Sequence, residues 1–296
     1  MCQRNWAKYN ANLVQRGSLS FFCHPSVLKL LKESTNNHSR NGRPPYGGQI
    51  LIILILLKIS YRLSYRRCEG MASCLFSPHG IAVPSYSTIC RGIKRLSDIL
   101  PKLSKRRPQQ FLIDSSGFKI SGEGEWKTKI HGQSYRRSWL KVHLLVDSKT
   151  NEIIDLIVTP STEADVNVGV HFLDQIPNGR QVLADGAYDG QRFREGAYNK
   201  KIQAIVPPPI NAKLRRPVCF NESNDAIRMI SLFGDDRAGR SLWGKLTGYC
   251  HRVKVESAFS RLKRIFGSDV FSRGLCAQRV ELWLKALLSN MWLNMN

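Results

Sequence analysis

The strongest apolar run in the chain is ILIILILL (50–57), eight positions without a polar interruption, closed by Lys58 and Arg62. A membrane span needs about 20 such residues, so this run predicts a buried helix in which every face meets protein. The helical pattern goes on through KISYRLSYRRCEGMASCLF to residue 76. A second one follows HGIAVPSYS, where Ser85 or Ser87 can cap a helix running through TICRGIKRLSDIL (88–100). Before both lies RNGRPPYGG (40–48), a basic loop rich in Pro and Gly. From LSKRRPQQ (103–110), a basic linker, the pattern changes to that of strands. QFLID ends at Asp114, then come WLKVHLLV (139–146), the turn DSKTNE and IIDLIVT (153–159). A helix over about 162–176 leads to QVLAD, ending at Asp185. A further helix near 191–200 precedes a fifth strand, IQAIV (202–206). Three strands in a meander followed by alternating helices and strands predict an α/β fold with a mixed, five-stranded sheet. Residues 207–248 read as an irregular insertion before a last amphipathic stretch that opens with GYCHRVKVESAF. The expected domains are therefore an all-α one at 1–107 and an α/β one at 108–296.

Composition adds a partner to this outline. The 296 residues hold 45 Lys and Arg against 22 Asp and Glu, a formal charge of +23 with a pI near 10.0. Solubility needs far less, so a polyanion is implied, and nucleic acid fits better than a membrane. Residues 1–107 carry 18 of the bases and only 3 of the acids. Two helices around a Pro/Gly turn, the second bearing Tyr86, Arg91, Lys94 and Arg95, are what a helix-turn-helix offers to a major groove. A solvated basic helix reads equally well from that stretch alone. The eight cysteines show no CxxC pairing and are expected as reduced, mostly core thiols of a cytoplasmic, nucleoid-associated protein. Seven histidines form no HxxxH or HExxH pattern, and there is no Walker sequence. A zinc hydrolase and a nucleotide cofactor are therefore not expected.

Candidate chemistry sits in three carboxylates. Asp114 and Asp185 each close an apolar strand and precede small residues, in FLIDSSGF and VLADGAYD. One such Asp is usually a turn residue. Two at neighbouring strand ends face the crevice where α/β sheets bind ligands, and carboxylates there suit Mg²⁺. Glu256 supplies a third. At 100° per residue Tyr249, Arg252, Glu256 and Lys263 fall in a stripe about 60° wide. Val255, Ala258, Phe259, Leu262, Ile265 and Phe266 fall on an adjoining apolar face. An ordinary helical ion pair between Arg252 and Glu256 accounts for that border as well as a metal ligand does.

The spacing Tyr249, two residues, Arg252, three residues, Glu256, six residues, Lys263 resembles the Y-(2)-R-(3)-E-(6)-K signature of bacterial insertion-sequence transposases. DSSGFK, GEGEWK, DGAYD and LCAQRVELWLKALLSNMWLN are similar to the group that insertion-sequence nomenclature numbers five, and so are YNANLVQRGSLSFF and VPSYSTICRGIKRL. Where that group often has a basic residue after the PP that follows the fifth strand, this chain has Pro209 and Ile210. The resemblance implies a ribonuclease H-like catalytic domain behind a helix-turn-helix-like N-terminal one. It implies a DDE site of Asp114, Asp185 and Glu256 that is both catalytic and metal-binding, holding Mg²⁺ with Mn²⁺ as a substitute. Tyr249, Arg252 and Lys263 would then contact DNA near the scissile phosphate, and Arg91, Lys94 and Arg95 the terminal inverted repeats. The expected partners are double-stranded DNA, as element ends and as target, and further copies of the chain. A decayed or repurposed copy that binds DNA without cutting it is the alternative.

Overall fold

The computed structural model describes residues 5–35, 46–121, 139–234 and 236–294. Most of the loop at 40–48, all of GEGEWK, and Cys2, His38 and His131 lie outside them. The chain divides into two units, residues 1–101 with 265–296, and residues 102–264.

The first unit opens with α1 (Trp6–Arg16), α2 (Pro25–Thr35), α3 (Gly48–Ser60), α4 (Tyr65–Phe76) and α5 (Tyr86–Gly92). α3 is the apolar run, buried at nearly every position, and α2, α4 and α5 pack around it. The helical pattern that continues to residue 76 in the sequence is broken in two. Arg62 takes a left-handed backbone conformation, and Ser64 restarts the helix by accepting a hydrogen bond from the Arg67 N–H. α5 is also shorter than expected. Residues Ile93–Leu96 tighten into a 3₁₀ turn, whose three-residue period stacks the buried Ile93 and Leu96 on one side. Gly92, the last residue of α5, is where the helix packs closest on α3: a Cβ there would come within 2.8 Å of a Leu51 methyl.

The second unit is built on β1 (Gln110–Ile120), β2 (Trp139–Asp147) and β3 (Ile153–Pro160), then α6 (Asp165–Leu173), β4 (Gln181–Ala184), α7 (Gln191–Asn199) and β5 (Gln203–Ile205). Their order across the sheet is β3-β2-β1-β4-β5. The first three run antiparallel, while β4 pairs parallel with both β1 and β5. This is the mixed sheet of a ribonuclease H-like α/β fold. Phe111, Ile113, Val182, Ala184 and Ala204 form one core with Val168 and Phe172 of α6 and Phe193 of α7. The stretch at 207–248 is not irregular throughout: it holds α8 (Asn221–Leu232) and α9 (Arg237–Leu246). Buried Ala226 and Ile230, four apart, give α8 a core-facing side, and Asp236 caps α9 by accepting from the Gly239 N–H at 2.7 Å. α10 (Val253–Phe266) follows a 3₁₀ turn at Tyr249–Arg252.

The last helix, α11 (Leu275–Asn294), belongs with the first unit, where it packs on α3. The sequence pattern places it after the strands and gives no sign of that return. Cysteine burial also departs from expectation. Of the seven described cysteines, only Cys68 is buried, and Cys74, Cys90, Cys250 and Cys276 are exposed.

Candidate active site

Asp114 lies inside β1 and not at its end, since β2 pairs with β1 as far as Lys119. What ends at this level is the parallel neighbour. β4 stops at Ala184, opposite Ile113, so the next residue on each strand is an aspartate. Asp114 and Asp185 therefore stand side by side where the parallel pairing gives out, the crevice position of an α/β sheet. Each has one oxygen fixed by the following backbone N–H. Asp114 Oδ1 accepts from Ser115 at 2.8 Å, and Asp185 Oδ1 accepts from Gly186 at 2.6 Å.

Strand alternation puts Asp114, Ser116 and Phe118 on the face opposite the core of α6 and α7. Side chains of the α10 segment meet that face. Arg252 Nη1 donates to Asp114 Oδ2 at 2.9 Å, and Lys263 Nζ donates to Ser116 Oγ at 2.7 Å while lying over the Phe118 ring. The second Arg252 nitrogen, Nη2, donates to Glu256 Oε1 at 3.1 Å. The helical pair with Glu256 is thus present, and the same guanidinium also reaches β1. Val255, Ala258, Phe259, Leu262 and Phe266 are buried beneath this border, leaving Glu256 the exposed member.

Gly248 sets up the approach. Its φ of 71° is left-handed, where a side chain would be strained, and the turn it makes brings Tyr249 against the Trp243 ring at 5.4 Å. Burial pushes the Tyr249 phenol up to about 12, with Asp185 and Asp114 adding to the rise against the pull of Arg252, so it stays protonated at neutral pH. Burial also raises Asp114, against the Ser115 N–H and Arg252, and the charges of Asp185 and Glu256 raise it further. Arg252 is desolvated, which acts to lower it, but Tyr249 and the three carboxylates outweigh that and hold it above its ordinary value. Burial alone lowers Lys263.

The donor set suits a hard divalent cation. The charges of Asp185 and Glu256 add to the proton affinity of Asp114, and a cation held among the three would relieve that repulsion. Among the described residues no three acidic, His or Cys side chains stand gathered as a ready metal site. Here Glu256 reaches Asp114 through Arg252. All six residues expected around the scissile phosphate thus lie in one unit. Arg91, Lys94 and Arg95 lie in the other, Arg91 on α5 and the two others on the 3₁₀ turn, all exposed. Sequence reasoning passed over Ser116, whose only signal is its place two residues from Asp114 on a strand. It also passed over Asp189, the last residue of DGAYD, which is buried and bonded to Arg194 at 2.9 Å and to Arg215 at 2.9 Å.

A family model described as Transposase DDE domain matches residues 105–291, well over half of the chain, and a second with the same description matches residues 14–123. The chain belongs to the DDE transposase family. Among solved structures, one similar chain is in the piggyBac transposase synaptic complex with hairpin DNA, at 9% identity and a TM-score of 0.27, covering 96% of this chain and 81% of that one. Another is in a simian T-cell lymphotropic virus intasome in complex with PP2A regulatory subunit B56 gamma, at 12% identity and a TM-score of 0.25. That match covers 64% of each chain, just under two thirds of the intasome protein's length. Likenesses this slight have no bearing on the transposase's function. Among the described residues no single helix is long and apolar enough to cross a membrane.

Proposed function

We propose that this DDE transposase, of the group numbered five, binds the terminal inverted repeats of an insertion sequence, cleaves the ends and joins them to target DNA. The observation that carries the reading is the pairing of Ile113 with Ala184, which makes neighbours of Asp114 and Asp185, together with the Arg252 guanidinium that links Asp114 to Glu256. Asp114, Asp185 and Glu256 would hold Mg²⁺, or Mn²⁺ in its place, which supplies charge neutralisation at phosphorus and an activated oxygen nucleophile. Arg252 is placed to exchange a carboxylate for a phosphate oxygen when DNA arrives, because a guanidinium fork accepts either partner. Tyr249, kept protonated, offers a hydrogen bond and a ring to the sugar-phosphate backbone, and Lys263 a second cation. Cleavage frees a 3′-hydroxyl, which attacks a target phosphodiester and displaces the next 3′-oxygen. Two ends must be held for that, so copies of the chain assemble on DNA.

A second reading, a DNA-binding protein without catalysis, draws on the three carboxylates not standing gathered as a ready metal site. Nicking and strand joining on a duplex carrying the element's ends separate the two. Products are expected with Mg²⁺, none with EDTA, and none from Asp185→Asn, whose amide still caps the turn. Binding by that variant should stay within about twofold, since phosphate contacts dominate affinity. Products from Asp185→Asn would overturn the site, and tight binding without products under any metal would establish the second reading.

A further inference from the structure

An open cavity of about 750 Å³ in the first unit is lined from opposite ends of the sequence. Arg66 of α4, Tyr86 and Arg91 of α5 and Lys94 of the following turn contribute from one end, and Phe271 and Arg273, just before α11, from the other. The four cations are exposed, none is ion-paired among the described residues, and neither Asp nor Glu lines the cavity. Both rings are exposed too, Tyr86 at 39% and Phe271 at 55%, with the Arg66 guanidinium 4.5 Å from the Tyr86 centroid.

The segment at 271–273 is held in this position by a buried charge. Glu281, 3% exposed, accepts from the Phe271 N–H at 3.1 Å and the Ser272 N–H at 2.7 Å, and pairs with Lys285 at 2.8 Å. Lys285 in turn donates to the Asp269 carbonyl at 2.7 Å. The clamp fixes the backbone and buries Ser272, so that Phe271 and Arg273 are both left exposed. A buried ion pair adds little net stability against an apolar pair of the same volume, but it specifies geometry, here the geometry of an exposed ring and an exposed guanidinium.

We infer that residues 271–273 form the second wall of a DNA-binding groove whose first wall is α4 and α5, with Arg273 on a backbone phosphate and Phe271 against the adjoining sugar. The inference rests on the reading that this unit binds the element's ends. Unpaired guanidinium and ammonium groups set among exposed rings match a nucleic-acid strand, which offers a phosphate to each cation and an apolar sugar face between phosphates. A protein partner of acidic character would satisfy the cations but gives the rings no repeating surface.

The test is equilibrium binding of the full chain to a fluorescent duplex carrying the element's ends, without divalent metal, across a salt series. Arg273→Ala is expected to weaken binding about tenfold and to make the slope of log K against log salt shallower by about 1, the signature of one lost phosphate contact. Arg273→Lys should keep the slope. Phe271→Ala should weaken binding at unchanged slope. Lys29→Ala, an exposed lysine on α2 away from the groove, should change neither, and melting temperatures confirm that each variant is folded. Wild-type affinity and slope in Arg273→Ala, alongside weakened binding in Arg91→Ala, would refute the second wall while leaving the transposase reading intact. No preference of the wild type for element ends over random duplex would bring down that reading and this inference together.

Discussion

Arg252 is the residue on which the site's electrostatics turn. Without it Asp114 would lose the one cation bonded to it among the described residues while Asp185 and Glu256 stayed near, and even with it burial leaves Asp114 raised above the ordinary aspartate value of 3.8. A raised carboxylate means the unfolded chain gives up this proton first as pH rises. Its charge therefore costs stability above that value, fully so at neutral pH, and the cost vanishes below it. Asp114→Asn is accordingly expected to abolish cleavage and yet melt no lower than the wild type at pH 7, the difference closing as pH falls towards 3.8. Mg²⁺ should raise the wild-type melting temperature and leave that of the variant unmoved, because only the wild type binds it more tightly when folded. A variant that melts well below the wild type, or one still stabilised by Mg²⁺, would show that Asp114 holds the structure and not the metal.

Among the elements, the turn after β4 has to deliver Asp185, and buried polar contacts fix it. Asp189, four residues on, pairs with Arg194, which is 1% exposed and also donates to the carbonyls of Ala204 at 2.7 Å and Val206 at 3.1 Å. Removing Asp189 takes away the closer of the two carboxylate partners of Arg194 and leaves the buried guanidinium only Glu222, at 3.6 Å, which should cost about 3 kcal/mol. Denaturant titration of Asp189→Ala against Asp189→Asn measures it, and a loss under about 1 kcal/mol would mean the network is not what holds the turn. The strands of this unit were legible because alternating and continuous apolar runs leave few other structures open, and Asp185 was legible because β4 ends where its apolar run ends. Asp114 was placed at a strand end since SSG reads as a turn. The long pairing with β2 carries the strand on regardless, a tertiary effect no local pattern records. α8 and α9 were hidden by the prolines and polar residues that precede them. The partnership of Arg252 with Asp114, 138 residues apart, needed the fold.

For the whole molecule, the decisive feature is that the helical unit is not one stretch of sequence. α3 is apolar on all sides, and part of its cover is α11. A chain ended at residue 264 is therefore expected to lose the cooperative melting of its first unit and to bind hydrophobic dyes there, as judged by calorimetry and fluorescence. A first unit that melts as sharply without residues 265–296 would show that α11 is dispensable. During synthesis this order of segments has a further effect. The basic first third leaves the ribosome long before its covering helix exists, and it must wait, exposed, for residues 275–294 to emerge. A product shortened by a stall or a premature stop carries most of the positive charge but neither Phe271 nor Arg273. If Phe271 and Arg273 grip DNA as inferred, truncated copies would be poorer competitors for the element's ends, and synthesis through α11 would act as a check on which copies engage them.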